Sequence, residues 1–445
     1  MRYGCGRGEI PWFGGFVRVA LFLLVMTVPA LAGEDWALHA QSTFIAQFHP
    51  AFASAYRGPN SLDPVASGRE TFNITGYAGV RPWTGGEAWA DLEMDQGFGL
   101  SDTLGAAGFT NGQGSTVGHA LPYYRLHRLF FRQSFDLGGE EQDIATGANQ
   151  LGLTRTADNL IVTLGKFSPA DVFDANDYAH DPARDFLNWA VIDAGPWDYA
   201  ADAWGYSYGG AVEWSMSDWT LRGGLFNLSR LPNGTELARD FSQYQVDGEI
   251  ERRVTLFGHP GSVKLLGFAS RGRIADYNDA VALALATHVT PDVAAVRNRQ
   301  AWKTGYALNV QQAVGEDWGV FARAALNDGG KEGDEFTDMS SSLLLGASLK
   351  GADWGRADDA VGLAFETGGI ARAGRRYFAL GGLGILIGDG RLDHYGREDI
   401  VETYYAAALW DGVAATLDYQ FIANPAYNAD RGPVSVLGLR LHGEL

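Results

Sequence analysis

Cysteine is nearly missing from this chain: one of 445 residues, Cys5, carries a thiol. Lysine is scarce, 5 against 29 arginines, and the 34 cationic side chains are outnumbered by 53 carboxylates, for a formal charge of −19. Affinity for nucleic acid comes chiefly from clustered Lys and Arg, so no nucleic-acid partner is expected. No stretch of 18 apolar residues follows position 32, so helical membrane spans are not expected either. The nine histidines form no H-E-x-x-H, and Gly97-Phe98-Gly99 lacks the third glycine of a dinucleotide loop. No D-x-D-x-D-G run precedes a Glu. Neither a metal nor a cofactor is called for.

What is present begins with a leader. Arg2, Arg7 and Arg18 precede an apolar run from Val19 to Val28, followed by Pro29 and Ala30-Leu31-Ala32. This order is that of a secretory signal, and the A-x-A pattern predicts cleavage after Ala32. An uncleaved anchor is the competing reading, but a spanning helix needs about 20 apolar residues, roughly twice this run. Cleavage removes Cys5, three Arg and Glu9, so the domain expected to fold, 33–445, has no cysteine and a charge of −21. Disulfides, thiol catalysis and Cys-ligated metals are thereby excluded. The 59 glycines and 12% aromatics argue against disorder.

Hydrophobicity that never forms long runs can still face lipid if it alternates along strands. From Trp36 to Phe48 the even positions are Trp, Leu, Ala, Ser, Phe, Ala and Phe, while His39, Gln41, Thr43 and Gln47 take the odd ones. Phe72, Ile74, Gly76, Ala78 and Val80 oppose Asn73, Thr75, Tyr77 and Arg81. Ala88, Ala90, Leu92 and Met94 oppose Glu87, Trp89, Asp91 and Glu93. Hairpin register is a stricter test, because both strands must put their apolar faces on one side. A turn at Ser217-Asp218 pairs Met216 with Trp219 and Trp214 with Leu221, leaving Glu213 opposite Arg222. A turn at Asp411-Gly412 pairs Ala408 with Ala415, Ala406 with Leu417 and Tyr404 with Tyr419, leaving Tyr405 opposite Asp418 and Thr403 opposite Gln420. A turn at Gly315-Glu316-Asp317 keeps Val310, Leu308 and Tyr306 with Ala322, Ala324 and Leu326.

Alternating runs occur near 36–48, 72–83, 87–94, 123–137, 159–167, 205–216, 219–228, 242–256, 262–274, 302–314, 318–327, 337–350, 360–370, 400–410, 413–423 and 433–443. In 123–137 the alternation is broken at Arg125 and His127, which suits a bulge. Trp stands beside Asp at Asp218-Trp219, Asp317-Trp318, Asp353-Trp354 and Trp410-Asp411, as in an interfacial aromatic girdle. The competing reading is the core Trp of a soluble sandwich, which rarely extends so far without a domain break. The expected fold is all-β: a transmembrane antiparallel β-barrel of about 16 strands.

The segments between strands carry a resemblance. Arg81-Pro82-Trp83, Gly86-Glu87, Trp89 and Gly97 to Asn111 (GFGLSDTLGAAGFTN) resemble the N-terminal signature of the carbohydrate-selective porins of bacterial outer membranes, the OprB type. Gly165-Lys166-Phe167, Asp171, Phe173-Asp174, Asn176, Asp181-Pro182, Arg184, Phe186, Asn188 and Trp189 are similar to its central motif. Gly388-Asp389-Gly390, Glu402, Tyr404-Tyr405, Asp418-Tyr419-Gln420, Asn424-Pro425, Tyr427-Asn428 and Asp430 to Pro433 are similar to its C-terminal portion. The resemblance implies a sixteen-stranded outer-membrane barrel, in which loops folding inward narrow a passive path for small saccharides. Segment 168–197 would be one such loop.

A sugar presents hydroxyls all round and apolar C–H faces, so its path needs donors, acceptors and flat rings, none binding strongly enough to trap it. Arg81, Glu87, Trp89, Asp91, Glu93, Arg128 and Arg132 on polar faces can supply them. Asp171, Asp174, Asn176, Arg184 and Trp189 in segment 168–197, with Asp418 and Gln420, complete the candidates. Two plainer readings compete: the charges pair to fill the wall, and the Asp cluster caps turns. The expected partners are small saccharides and outer-membrane lipid, and no particular oligomeric state is implied. Two other functions compete, a barrel lipid hydrolase and a non-conducting structural or adhesive barrel. Gly205-Tyr206-Ser207-Tyr208-Gly209 matches G-x-S-x-G, but the alternation runs straight through Ser207 where a nucleophile elbow needs strand, turn and helix.

Overall fold

The computed structural model describes residues 31–33, 35–114 and 117–445. The body of the expected leader lies outside the described residues. Leu31–Gly33, at its end, forms a short strand against Trp36–Leu38.

Sixteen strands follow: β1 Trp36–His49, β2 Ser67–Val80, β3 Gly86–Gly97, β4 His119–Ile144, β5 Leu153–Phe167, β6 Ser207–Met216, β7 Trp219–Asn227 and β8 Tyr244–Leu256 form the first half. The second half is β9 His259–Gly272, β10 Ala301–Ala313, β11 Trp318–Asn327, β12 Ser341–Gly351, β13 Arg356–Gly369, β14 Glu398–Trp410, β15 Val413–Ala423 and β16 Val434–Glu444. Each pairs antiparallel with its sequence neighbours, and β16 closes on β1 from Leu437 opposite Phe48 to Glu444 opposite Gln41. Closure leaves no unpaired sheet edge, which is what lets strands stand in hydrocarbon. The connections alternate in length. Residues 81–85, 145–152, 217–218, 257–258, 314–317, 352–355 and 411–412 turn at the end where β1 begins and β16 finishes. Long loops, 168–206 the longest, join the strands at the other end and carry α1 Trp189–Ile192, α2 Tyr277–Thr287 and α3 Arg372–Ala379.

The alternation sorts side chains as lipid and lumen require. On β15 Leu417 is 66% exposed, whereas its neighbour Asp418 is 4% exposed and faces inward. Leu343, Leu345, Leu363 and Leu437 stand outside in the same way. Trp219, Trp318, Trp354 and Trp410 expose their rings at the short-turn end, joined by Trp36 and Trp83. These are the headgroup-level positions favoured by an amphipathic ring.

The hairpins at 217–218 and 314–317 adopt the expected registers, with Trp214 opposite Leu221 and Leu308 opposite Ala324. The hairpin at Asp411-Gly412 differs. Trp410 does face Val413, but a bulge at Leu409 shifts the rest by one, so Tyr404 lies opposite Asp418, Tyr405 opposite Leu417 and Glu402 opposite Gln420. The cause sits on β13: Asp359 accepts the Ala408 N–H at 3.0 Å, and Arg356 donates to the Ala408 carbonyl at 2.7 Å. Side chains thus occupy backbone groups that the ladder would have used, and Tyr404 turns into the barrel. A second bulge sets Asp91 opposite Arg128 and Leu92 opposite Leu126, leaving His127 unpaired in the ladder. β4 also runs on to Ile144, well past residue 137.

Candidate functional site

β3 and β4 build one wall of the lumen from opposed charges. Glu87 lies directly across from Arg132, Asp91 from Arg128 and Glu93 from Arg125. Because side chains alternate, every second residue of β3 from Glu87 to Asp95 points inward. The His127 bulge keeps Arg125, Arg128 and Arg132 on the same side despite their uneven spacing.

Loop 168–206 enters the barrel and packs against the remaining walls. Phe173, Phe186, Leu187 and Trp197 in this loop are fully buried. A buried loop must find partners for its backbone, and here barrel side chains supply them. Arg323 of β11 donates to the carbonyls of Val191 at 2.9 Å, Asp174 at 3.0 Å and Ala179 at 2.8 Å. Arg440 of β16 takes the carbonyls of Pro182, Arg184 and Asp185. Carboxylates take the N–H groups: Glu249 accepts from Asp174 at 2.9 Å, and Glu402 from Leu187 and Asn188. The loop is thereby wired to the wall at separate points on β8, β11, β14 and β16. A second loop, 98–118, reinforces it through Phe109 stacked on Trp189, with ring centroids 5.4 Å apart.

Between this loop and the β3–β4 wall lies a cavity of about 710 Å³. Arg128 crosses it, giving Asp171 two hydrogen bonds, 2.8 Å from Nε and 2.6 Å from Nη2. Behind it, Asp91 lies 3.4 Å from Nη1 of the same guanidinium. Arg132 contacts Glu87 at 3.3 Å and donates to the Asn149 carbonyl at 2.9 Å. Rings complete the lining: Trp189, Tyr199, Trp204 and Tyr206, with Arg125 3.4 Å above the Trp204 ring centre. The floor is the β4–β5 hairpin, which bends at Gly138 and Gly139, whose φ values of 117° and 88° suit glycine. Its tip returns to the wall, where Asn149 donates to Asp91 at 2.8 Å and Gln150 to Glu87 at 3.2 Å. A second cavity of about 860 Å³ opens at the short-turn end. Arg184 borders both cavities and pairs with Asp181 and Glu444.

The fourteen candidate residues thus fall into separate places. Glu93, Arg128, Arg132, Asp171, Arg184 and Trp189 line the first cavity. Glu87 and Asp91 lie behind the arginines, and Trp89 is buried with its Nε1 on Glu87 at 3.1 Å. Asp174 pairs with Arg323 at 3.1 Å, Asn176 donates to Asn309 at 2.8 Å, and both secure the loop. Gln420 bonds the Thr110 carbonyl and the Asn188 side chain, with Asp418 beside it. Arg81 sits at the short-turn rim, donating to the Gly152 carbonyl at 2.8 Å. Sequence reasoning passed over Tyr206, Trp204, His127 and the hairpin tip. Only the broken alternation at Arg125 and His127 pointed toward them.

The cavity lining holds six carboxylates, Glu93, Asp95, Asp171, Asp181, Asp193 and Glu213, against the guanidinium groups of Arg128, Arg132, Arg155 and Arg184. Part of the acidic surplus therefore lines this cavity. Among the loop groups, burial raises the Asp171 carboxyl, but Arg128 more than reverses this and holds it below the ordinary range. Burial pushes Asp193 up to about 6, a rise that His180 moderates and Asp174 adds to. Burial, with Asp181, also pushes Asp185 beside the second cavity up to about 6. A carboxyl raised in the folded state is neutral below that value and charged above it, so any loop stability linked to it falls as pH rises toward and through about 6. The two cavities gain negative charge over the same interval. Reversal potentials in a salt gradient should therefore show stronger cation preference at about pH 7 than at about pH 5. An unchanged potential would remove these two carboxylates from the conducting path.

The profile described as "Carbohydrate-selective porin, OprB family" matches residues 70–445. Among solved structures, Pseudomonas putida OprB is similar, with TM-score 0.68 and 15% identity over 93% of this chain and 94% of that one. The outer-membrane channel DcaP of Acinetobacter baumannii matches at TM-score 0.49 and 10% identity, covering 94% of this chain and 100% of its own. None of the curated proteins matches. A family match over most of the sequence, on a closed sixteen-stranded barrel, places the chain among the carbohydrate-selective porins of the OprB family, sugar channels of the bacterial outer membrane.

Proposed function

We propose that small saccharides diffuse passively through the cavity between the β3–β4 wall and loop 168–206, touching Arg128, Arg132, Glu93, Asp171 and Trp189 as they pass. The observation carrying this reading is the joint presence, around one cavity, of guanidinium donors, carboxylate acceptors and aromatic faces. Donors and acceptors already paired with each other can exchange partners with a sugar hydroxyl at little net cost, which favours passage over trapping. Asp174, Asn176, Asp418 and Gln420 act instead as anchors that hold the loop in place.

The reading includes transport without catalysis. Ser207 lies at the start of β6 with its Oγ donating to the Asn227 carbonyl at 2.6 Å, which supports a structural role. It also includes export by a leader cleaved after Ala32, for which the intact mass of the outer-membrane protein should correspond to a chain beginning at Gly33. A mass retaining residues 1–32 would refute the cleavage. For conduction itself, the test is current through single porins in a planar bilayer. Steady open current with added monosaccharide reducing it in a saturable way is expected. Inserted barrels with no open current would favour the non-conducting alternative.

A further inference from the structure

The cations around the first cavity are taken up unevenly. Arg128 pairs with Asp91 and Asp171, while Lys166 and Arg125 pair with Asp202 at 3.3 and 3.6 Å. Glu93 and Asp95 lie inside the barrel at 8% and 7% exposure, and among the described residues His127 is the one basic group within 4 Å of either, Arg125 acting on Asp95 from farther off. His127 is itself 2% exposed. Buried carboxylates without a compensating cation are costly, and such groups are paired, protonated or bound to metal.

The geometry around His127 matches a metal's requirements. Its Nε2 lies 3.3 Å from Asp95 Oδ2 and 3.7 Å from Glu93 Oε1, and the three ligand atoms fall within 4.8 Å of one another. Tetrahedral coordination with bonds of about 2.0–2.2 Å puts neighbouring ligand atoms about 3.3–3.6 Å apart. A second, independent observation comes from β2. Asn73 sits directly opposite Asp95, is 5% exposed, and has an Oδ1 without any hydrogen-bond partner. Its Nδ2 donates to Glu93 Oε1 at 3.4 Å, which places the amide beside the cluster. Exchanging the two amide atoms by rotation about the last side-chain bond would aim the unpartnered oxygen at the cluster. Thr75 holds the other Glu93 oxygen at 2.5 Å, and Tyr206 stacks on the imidazole at 4.3 Å, so both groups are oriented beforehand.

We propose that His127, Glu93 and Asp95, with the Asn73 amide oxygen, form a binding site for one divalent cation of the zinc type in the wall of the conducting path. An imidazole with two carboxylates suits zinc better than calcium or magnesium, which favour all-oxygen shells. The site borders the sugar cavity through Glu93, Asp95 and His127, so bound metal also changes the charge that solutes meet.

Calorimetric titration of the purified, untagged barrel in detergent with Zn²⁺ at neutral pH tests this. One saturable ion per barrel is expected, weakened at least tenfold by His127→Ala and by the volume-conserving Asp95→Asn. His394→Ala removes an exposed histidine paired with Asp430 at 2.8 Å and should leave binding unchanged. Folding of each variant is checked by heat-dependent gel mobility, and Asp95→Asn serves if the alanine variant fails to fold. Absence of saturable binding, or binding unaffected by either substitution in a folded barrel, overturns the proposal and leaves Glu93 and Asp95 to share a proton instead.

Discussion

Arg323→Met should open the channel: single-porin conductance is expected to rise several-fold, with discrimination between small and large sugars largely lost. Arg323 is 1% exposed and holds three carbonyls of loop 168–206 together with the Asp174 carboxylate. Methionine approximates its volume but takes the donor from the buried Val191 and Ala179 carbonyls and the cation from the Asp174 carboxylate, which keeps the Asn309 amide and the Ala194 N–H. Removing one member of a buried ion pair costs about 3–5 kcal/mol, and the orphaned carbonyls add to it. The barrel wall does not depend on the loop for its ladder, which is continuous from β1 round to β16. The loop is therefore the element expected to yield, swinging toward water where its backbone can be hydrated. Bilayer recording measures this directly. Unchanged conductance in a folded variant would show that the loop keeps its place without Arg323.

The second large effect is expected at Arg128. Its fork joins Asp171 on the loop to Asp91 on the wall, across the cavity. Arg128→Ala removes the donors a sugar would meet at this point and leaves Asp171 and Asp91 facing each other without the cation between them. Hydrogen bonds to charged groups are worth about 1.5–3 kcal/mol, so sugar affinity read from current reduction should fall about tenfold or more. Arg128→Lys keeps the charge but not the planar fork, and most of the loss should remain. Full affinity in the lysine variant would mean that charge alone matters there.

Much of the architecture was legible because period two is a local property. Sixteen alternating runs correspond to sixteen strands, and two of three hairpin registers follow from matching the apolar faces of the two strands across the turn. The third failed for a non-local reason: Asp359 and Arg356 on β13 capture backbone groups of Ala408 and create the bulge at Leu409. The site was legible to a lesser degree. Inward charges on β3 and β4 follow from alternation, but whether a residue meets the cavity or secures a loop depends on distant partners. Asp171 and Asp174 are three residues apart in one acidic segment, yet one faces Arg128 across the cavity and the other is closed off by Arg323. The hairpin floor was hidden for a similar reason, since the contacts of Asn149 and Gln150 with Asp91 and Glu87 span 58 and 63 positions.

Liposome swelling decides whether the cavity between loop 168–206 and the β3–β4 wall passes small sugars selectively. Proteoliposomes would be diluted into iso-osmotic solutions of neutral saccharides from mono- to tetrasaccharide, alongside a non-sugar solute matched in size to the monosaccharide. Swelling should be fastest with monosaccharide, exceed that with the matched solute, and decline steeply with chain length. Equal rates for sugar and matched solute, or no swelling although inserted barrels conduct salt, would contradict selective passage.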